Sequence, residues 1–357
     1  MGTTRRNFLK GIVGAGLTPI PGAQAQQRRW ADVHMHVIGG PQRQFAQAVE
    51  LAVAEMDARG ISKAVVFPPP FPRPGFDYPA YAPELQRYPG RFGFLGGGGF
   101  LNPMLHQFPK PENVTAEIKE KFVRLAEQMI DAGAVGFGEI ALLHLSLVPN
   151  HSFEEVTPEH PLMLALVETA GRRRVVIDLH MDPVTAADTM RTPSFLKSPP
   201  NPPTLKGNVA AFERMLAHER NARIVWAHGG SDFTGNMTPA LIGRLMDAHP
   251  NLYMSLRPMP PGTKVLPAFG LRLHNTLMPA SAVDKPWLDV LNRHPDRFVL
   301  GADAFFLASS TPPDSPLRSL GRGNELRLRG IGELLSRLPA HLAGKVAYEN
   351  AARLYRL

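Results

Sequence analysis

Between residues 30 and 303, short runs of apolar and β-branched residues recur eight times, alternating with amphipathic, helix-like stretches. The runs are Trp30–Val37, Ser62–Phe67, Arg91–Leu95, Ala134–Ile140, Arg174–His180, Arg223–His228, Asn251–Leu256 and Arg297–Asp303. Strands that alternate with helices pair in parallel and are covered by those helices. Eight such units in one chain of this length predict an α/β fold of the (β/α)8 TIM-barrel form. The helices between them carry apolar residues at three- and four-residue spacing over Gln42–Arg59, Val114–Ala132, Pro161–Arg172, Val209–His218 and Pro239–Ala248. The run from Asn324 to Leu357 reads as two helices broken near Pro339.

The first 25 residues stand apart from this pattern. Arg5-Arg6-Asn7-Phe8-Leu9-Lys10 precedes a weakly apolar stretch and then Ala23-Gln24-Ala25. Twin arginines, an apolar region and a small-residue cleavage site predict a twin-arginine signal peptide over 1–25. The expected partner is the twin-arginine export machinery, and the expected location is periplasmic or extracellular. Residues 26–357 are then one barrel domain.

Composition excludes several classes. Hydrophobic residues make up 44% and charged residues 20%, enough apolar material for a large core. No apolar run is long enough for a transmembrane helix. The net charge of +8 becomes +5 once Arg5, Arg6 and Lys10 leave with the signal, and no basic run remains to suggest nucleic acid. With no cysteine, a metal can be held only by His, Asp, Glu and water.

Several strand runs close on a residue of that kind. The first carries His34-x-His36, two imidazoles on one face of a strand with Asp32 behind them. Among 13 histidines such a pair arises by chance in about every second chain of this size, so it needs context. The context is Glu139 on the fourth strand, His180 on the fifth, His228 on the sixth and Asp303 on the eighth. Barrel closure brings these ends to one rim. Proline-rich segments leave the same ends at Pro68–Pro79, Pro199–Pro203, Pro258–Pro261 and Thr311–Pro316, as stiff walls for a pocket or as lids.

With these residues in view, the chain resembles the amidohydrolase superfamily, in its amidohydrolase-related (amidohydrolase 2) branch. The resemblance is carried by Asp32-x-His34-x-His36, Met56-Asp57-x-x-Gly60-Ile61 and Trp226-Ala227-His228-Gly229-Gly230. It continues in Arg297–Asp303 and in Lys345-Val346-Ala347-Tyr348-Glu349-Asn350-Ala351-Ala352-Arg353-Leu354. It spans roughly residues 30–357. It implies a divalent metal, zinc in one or two ions, on His34, His36 and Asp303, with Glu139 bridging to a second ion on His180 and His228. It also implies that Asp303 takes the proton from the attacking water. His228 holds the second ion or, with one metal, orients the nucleophile. Ala302 and Ala304 replace the residues commonly flanking that aspartate, so the adjoining substrate wall differs.

The expected activity is metal-dependent hydrolysis of an ester, lactone or amide bond in a small organic substrate. The alternatives are a metal-dependent decarboxylase of an aromatic or related carboxylic acid and, from another class, an exported binding protein without chemistry. Arg257 follows the seventh strand and either receives a substrate carboxylate or forms a rim salt bridge. Tyr78 and Tyr81 are candidate pocket residues, as are His144 and His151. Asp32 and Asp178 are candidates for orienting the imidazoles. A homo-oligomer is left open.

Overall fold

Eight strands pair in parallel around a closed ring in the computed structural model, which describes residues 29–198, 200–266 and 270–357. They are β1 (Trp30–Ile38), β2 (Ile61–Val66), β3 (Phe92–Phe94, resuming at Gly96–Gly97) and β4 (Gly136–His144). The ring continues with β5 (Val176–Met181), β6 (Arg223–Gly229), β7 (Leu252–Leu256) and β8 (Phe298–Leu300, resuming at Ala304–Leu307). The ladder passes from β1 through β2 to the first part of β3, and from its second part through β4, β5, β6 and β7 to the first part of β8. The second part of β8 returns to β1. The export pattern of residues 1–25 lies outside the described residues.

Helices α1 (Phe45–Arg59), α2 (Ala116–Asp131), α3 (Pro161–Arg173), α4 (Val209–His218), α5 (Pro239–Ala248), α6 (Lys285–Arg293) and α7 (Asn324–Arg337) follow the strands. Their ends are set by local chemistry. The Thr115 and Thr238 hydroxyls accept from the Ile118 and Leu241 amides, and Gly60 closes α1 in the left-handed region. The chain turns helical again after Pro339, over Ala340–Gly344, Lys345–Glu349 and Asn350–Tyr355.

Two cores result. Val33, Val65, Leu95, Val176, Val225 and Val299 fill the barrel, and Leu354 and Tyr355 of the last helix pack against them. Fully burying each such side chain contributes roughly 1.5–3 kcal/mol. A second, larger core lies where the helices cover the strands. Three details differ from the sequence reading. Strand β4 runs on to His144, because Leu143 and His144 also pair with Glu154–Glu155. Strand β8 breaks at residues 301–303. Helix α6, on an amphipathic segment between the seventh and eighth runs, completes the set before β8.

Candidate metal centre

His34 and His36 leave β1 with their rings 5.0 Å apart and both fully buried. The Phe67 carbonyl accepts from His36 Nδ1 at 2.9 Å, which fixes the tautomer and leaves Nε2 as the free ligand atom. His34 Nδ1 lies 3.3 Å from Asp178 Oδ1, so its Nε2 also points away from its carboxylate partner. Both Nε2 atoms are buried without a hydrogen-bond partner. Gly301 makes the approach of β8 possible, since a Cβ there would meet the His34 Cβ at 2.8 Å.

Glu139 reaches between two pairs of imidazoles. Its Oε2 is 3.5 Å from His34 Nε2 and 3.5 Å from His36 Nε2. Its Oε1 is 2.8 Å from His180 Nδ1 and 3.3 Å from His228 Nε2, which are themselves 3.1 Å apart. Asp303 Oδ1 completes the first group, 3.3 Å from His36 Nε2 and 3.8 Å from His34 Nε2. Ligand atoms about 2.0–2.2 Å from a tetrahedral ion stand about 3.3–3.6 Å apart, so this group has the spacing of a metal cage. Among the described residues, two sets of three buried ligand atoms lie within 4.8 Å of one another, His34 with His36 and Asp303, and His34 with Glu139 and His228; His180 joins neither set but stands against Glu139. His228 and Asp303 both hold positive φ, 72° and 54°, a conformation that costs a non-glycine residue about 1–3 kcal/mol and clusters at functional sites.

The electrostatics favour positive charge in the cluster. Burial disfavours a charged His34, yet Asp178 and Glu139 outweigh it and raise its pKa well above the ordinary histidine value. His180 is likewise opposed by burial but raised to about 9 by Asp182 and Glu139. Burial works against an ionised Glu139, while His34, His180 and His228 hold it well below the usual carboxylate range. The carboxylates thus draw positive charge into a dry cluster, the demand a divalent ion would meet. His228 behaves differently: burial, with Arg257 nearby, lowers its pKa well below the ordinary histidine value and keeps it uncharged.

All six residues expected to hold metal therefore converge. Asp178 stands beside His34 Nδ1 at 3.3 Å, the place the orienting role considered for it requires. Asp32 does not take such a place: its Oδ1 accepts from the backbone amides of His34 and Ala302, tying β1 to β8. Arg257 is buried and forms an ion pair with Asp303 Oδ2. Tyr78 is placed elsewhere, its ring stacked 5.9 Å from Phe94, and Tyr81 is buried with its hydroxyl donating to the Leu95 carbonyl. Among the described residues neither lines the cavity at the cluster, because the segment after β2 turns these rings back onto the barrel wall. That cavity, about 250 Å3, is lined by Glu139, His180, His228, Arg257 and Asp303, with His144 and His151 beside them. Of the proline segments, Pro69, Pro70, Pro72 and Pro316 form part of its wall.

Two residues of the site were not anticipated. Asp182 Oδ2 stands 3.4 Å from His180 Nε2, backing that ring as Asp178 backs His34. Its position two residues beyond His180 is a signal that the strand period would have given. Arg327, on α7, donates to Asp303 Oδ2 at 2.9 Å alongside Arg257. Burial lowers its pKa to about 10, and no sequence pattern distinguishes it from the other arginines of that helix. Despite burial, the Arg327 and Arg257 cations hold Asp303 well below the usual carboxylate range.

No family model matches the sequence, and no curated protein matches it. Solved structures do match. A probable 2-pyrone-4,6-dicarboxylic acid hydrolase from Acinetobacter baumannii, with citric acid bound, aligns with a TM-score of 0.51 at 13% identity over 92% of this chain and 100% of that one. A triple mutant of organophosphorus hydrolase from Deinococcus radiodurans gives 0.52 at 16% identity, covering 92% of each chain. An organophosphate hydrolase engineered from a weak promiscuous lactonase gives 0.51 at 17% identity, covering 93% of this chain and 96% of that one. At these identities the likeness is one of fold.

Proposed function

We propose that this protein is a metal-dependent hydrolase that opens an ester, lactone or amide bond of a small organic substrate. The observation that carries the proposal is Glu139, with one oxygen toward His34 and His36 and the other toward His180 and His228. A carboxylate shared by two histidine pairs suits two ions and favours hydrolysis over single-metal decarboxylation. The fold neighbours described as hydrolases are consistent with it.

His34, His36 and Asp303 would hold the first ion, His180 and His228 the second, and Glu139 both. Bound there, divalent ions, with zinc the first candidate, supply Lewis acidity toward a carbonyl or phosphoryl oxygen and make water more acidic. The protein's own groups do the rest. Asp178, Asp182 and the Phe67 carbonyl hold the imidazoles in place. Asp303 accepts a proton from water and returns it to the leaving group, and the two arginines keep it ionised for that role. Phe71, Leu145 and Phe233 supply apolar wall that limits water around the reacting bond. Arg257 is the group on this wall best suited to a substrate anion. The N-terminal pattern supports twin-arginine export to the periplasm or beyond.

The test is metal analysis of the purified mature protein, run with an ester, lactone and amide panel. About two divalent ions per chain are expected. A chelator should remove hydrolysis, and Zn2+ or Mn2+ should restore it. Release of CO2 from aromatic acids with one ion per chain would replace hydrolysis by decarboxylation. Absence of stoichiometric metal, with no response to added ions, would leave a binding protein.

A further inference from the structure

On the Oδ2 side of Asp303 lies a second cavity of about 260 Å3. It meets the first at Arg257 and Asp303, and Arg327 lines only the second. Arg322 lines it too, and away from these charged groups its wall is apolar, with Leu147, Val148, Phe233, Met259, Leu320 and Leu326. An apolar cavity of about 150 Å3 holds a benzene ring, so this one has room for a ring with a side chain or for a chain of several carbons.

The charged end of this cavity is unbalanced. Arg257 and Arg327 are each only 6% exposed and share a single carboxylate oxygen, Asp303 Oδ2. The other oxygen of Asp303 faces the imidazole cage. The Nε atom of each arginine is buried with no hydrogen-bond partner. Arg327 Nη2 also donates to the Leu320 carbonyl and to Asn324 Oδ1, but two guanidiniums set against one carboxylate leave an excess of positive charge at this end of the cavity, and a planar carboxylate matches the guanidinium fork.

We propose that Arg257 and Arg327 receive a substrate carboxylate while the apolar cavity holds the hydrocarbon part, so that the substrate is an amphiphilic carboxylate. This rests on the hydrolase reading for what happens to the scissile bond, but not for the binding itself. Phe233 and Leu147, which line both cavities, would lie along the substrate where it passes from one to the other.

The experiment measures binding of linear carboxylates, acetate to octanoate, to the metal-loaded full protein by calorimetry. Affinity should rise about three- to fourfold per methylene and then level off as the cavity fills. Octanol should bind at least tenfold more weakly than octanoate. Arg327→Met should weaken octanoate at least tenfold with metal content retained, and Arg327→Lys should recover part of that loss. Met259→Trp, which narrows the cavity without touching a ligand, should make affinity level off at a shorter chain. Affinity independent of chain length, equal binding of octanol and octanoate, or unchanged octanoate binding by Arg327→Met would each overturn the proposal. Chain-dependent binding by protein that holds no metal and hydrolyses nothing would keep the anion site and defeat the hydrolase. Metal-dependent hydrolysis without chain dependence would do the reverse.

Discussion

Glu139 and Glu154 are both buried, both lie among histidines, and end in opposite states. Glu139 is held well below the usual carboxylate range against the effect of burial, whereas burial raises Glu154 to about 7. The difference lies in what converges on each. Four imidazoles from three strands stand within 3.5 Å of Glu139. Glu154 has the Asn102 amide at 2.7 Å and the Ser152 hydroxyl at 2.9 Å. Its nearest imidazole, His106 Nε2 at 3.1 Å, is shared with the Ala141 carbonyl. His106 is itself lowered to about 4 by burial, so it stays neutral. A buried acid beside a histidine is therefore not a metal site. The site needs several imidazoles aimed at both carboxylate oxygens, and barrel closure supplies that convergence.

Asp303 tests the comparison from a third side, because its partners are half imidazole and half guanidinium. Imidazoles can give up their protons when a carboxylate is removed, but guanidiniums cannot. Asp303→Asn should therefore be the most damaging change. It strands two buried cations and should cost metal-free protein about 3–5 kcal/mol in urea unfolding, besides abolishing hydrolysis. An apo protein as stable as the parent would show that the arginines relax to other partners.

Glu139→Gln should do its damage at the metal instead. The amide keeps the shape but turns one acceptor into a donor, so it cannot serve both imidazole pairs. Metal content should fall from about two ions to about one, and kcat/KM by about a thousandfold, roughly 4 kcal/mol. Metal-free stability should change much less than in Asp303→Asn. Retention of two ions with near-parental activity would reduce Glu139 to a hydrogen-bond acceptor.

Much of this was legible in the sequence, for a physical reason. Strand periodicity is local, and a closed parallel barrel sends every strand end to one rim, so His34, His36, Glu139, His180, His228 and Asp303 could be placed together without knowing a distance. What stayed hidden depends on the fold beyond the strands. Arg327 reaches the site from a helix 24 residues past Asp303, and nothing in its neighbours marks it as turned inward. Tyr78 sits in a proline-rich segment at the right strand end, yet packs on Phe94, because an aromatic ring gains as much from the barrel wall as from a pocket. Asp32 shares the motif with His34 and His36 but satisfies two backbone amides beside the break in β8, and the lone Gly301 at that break does not tell which carboxylate it brings near.

The mildest change is the one that sharpens the opening contrast. Glu154→Gln should leave metal content and hydrolysis as they were, because Glu154 contributes to neither imidazole pair. Its effect should appear in stability against pH. The folded protein holds the Glu154 proton up to about pH 7, whereas the unfolded chain releases it near the ordinary value of 4.5. The contribution of this group to stability is thus fully present below about pH 4.5 and is lost as pH rises to about 7. Subtracting the variant's unfolding free energy from the parent's should give a difference that falls by about 1–3 kcal/mol across that window and is flat above it. His106 acts in the opposite sense, losing stability as pH falls from 6.5 towards 4, but it is present in both proteins and largely cancels in the difference. A difference that rises with pH would mean that Glu154 is held ionised by His106. The two glutamates would then differ in degree and not in kind, and convergence of imidazoles would no longer separate them.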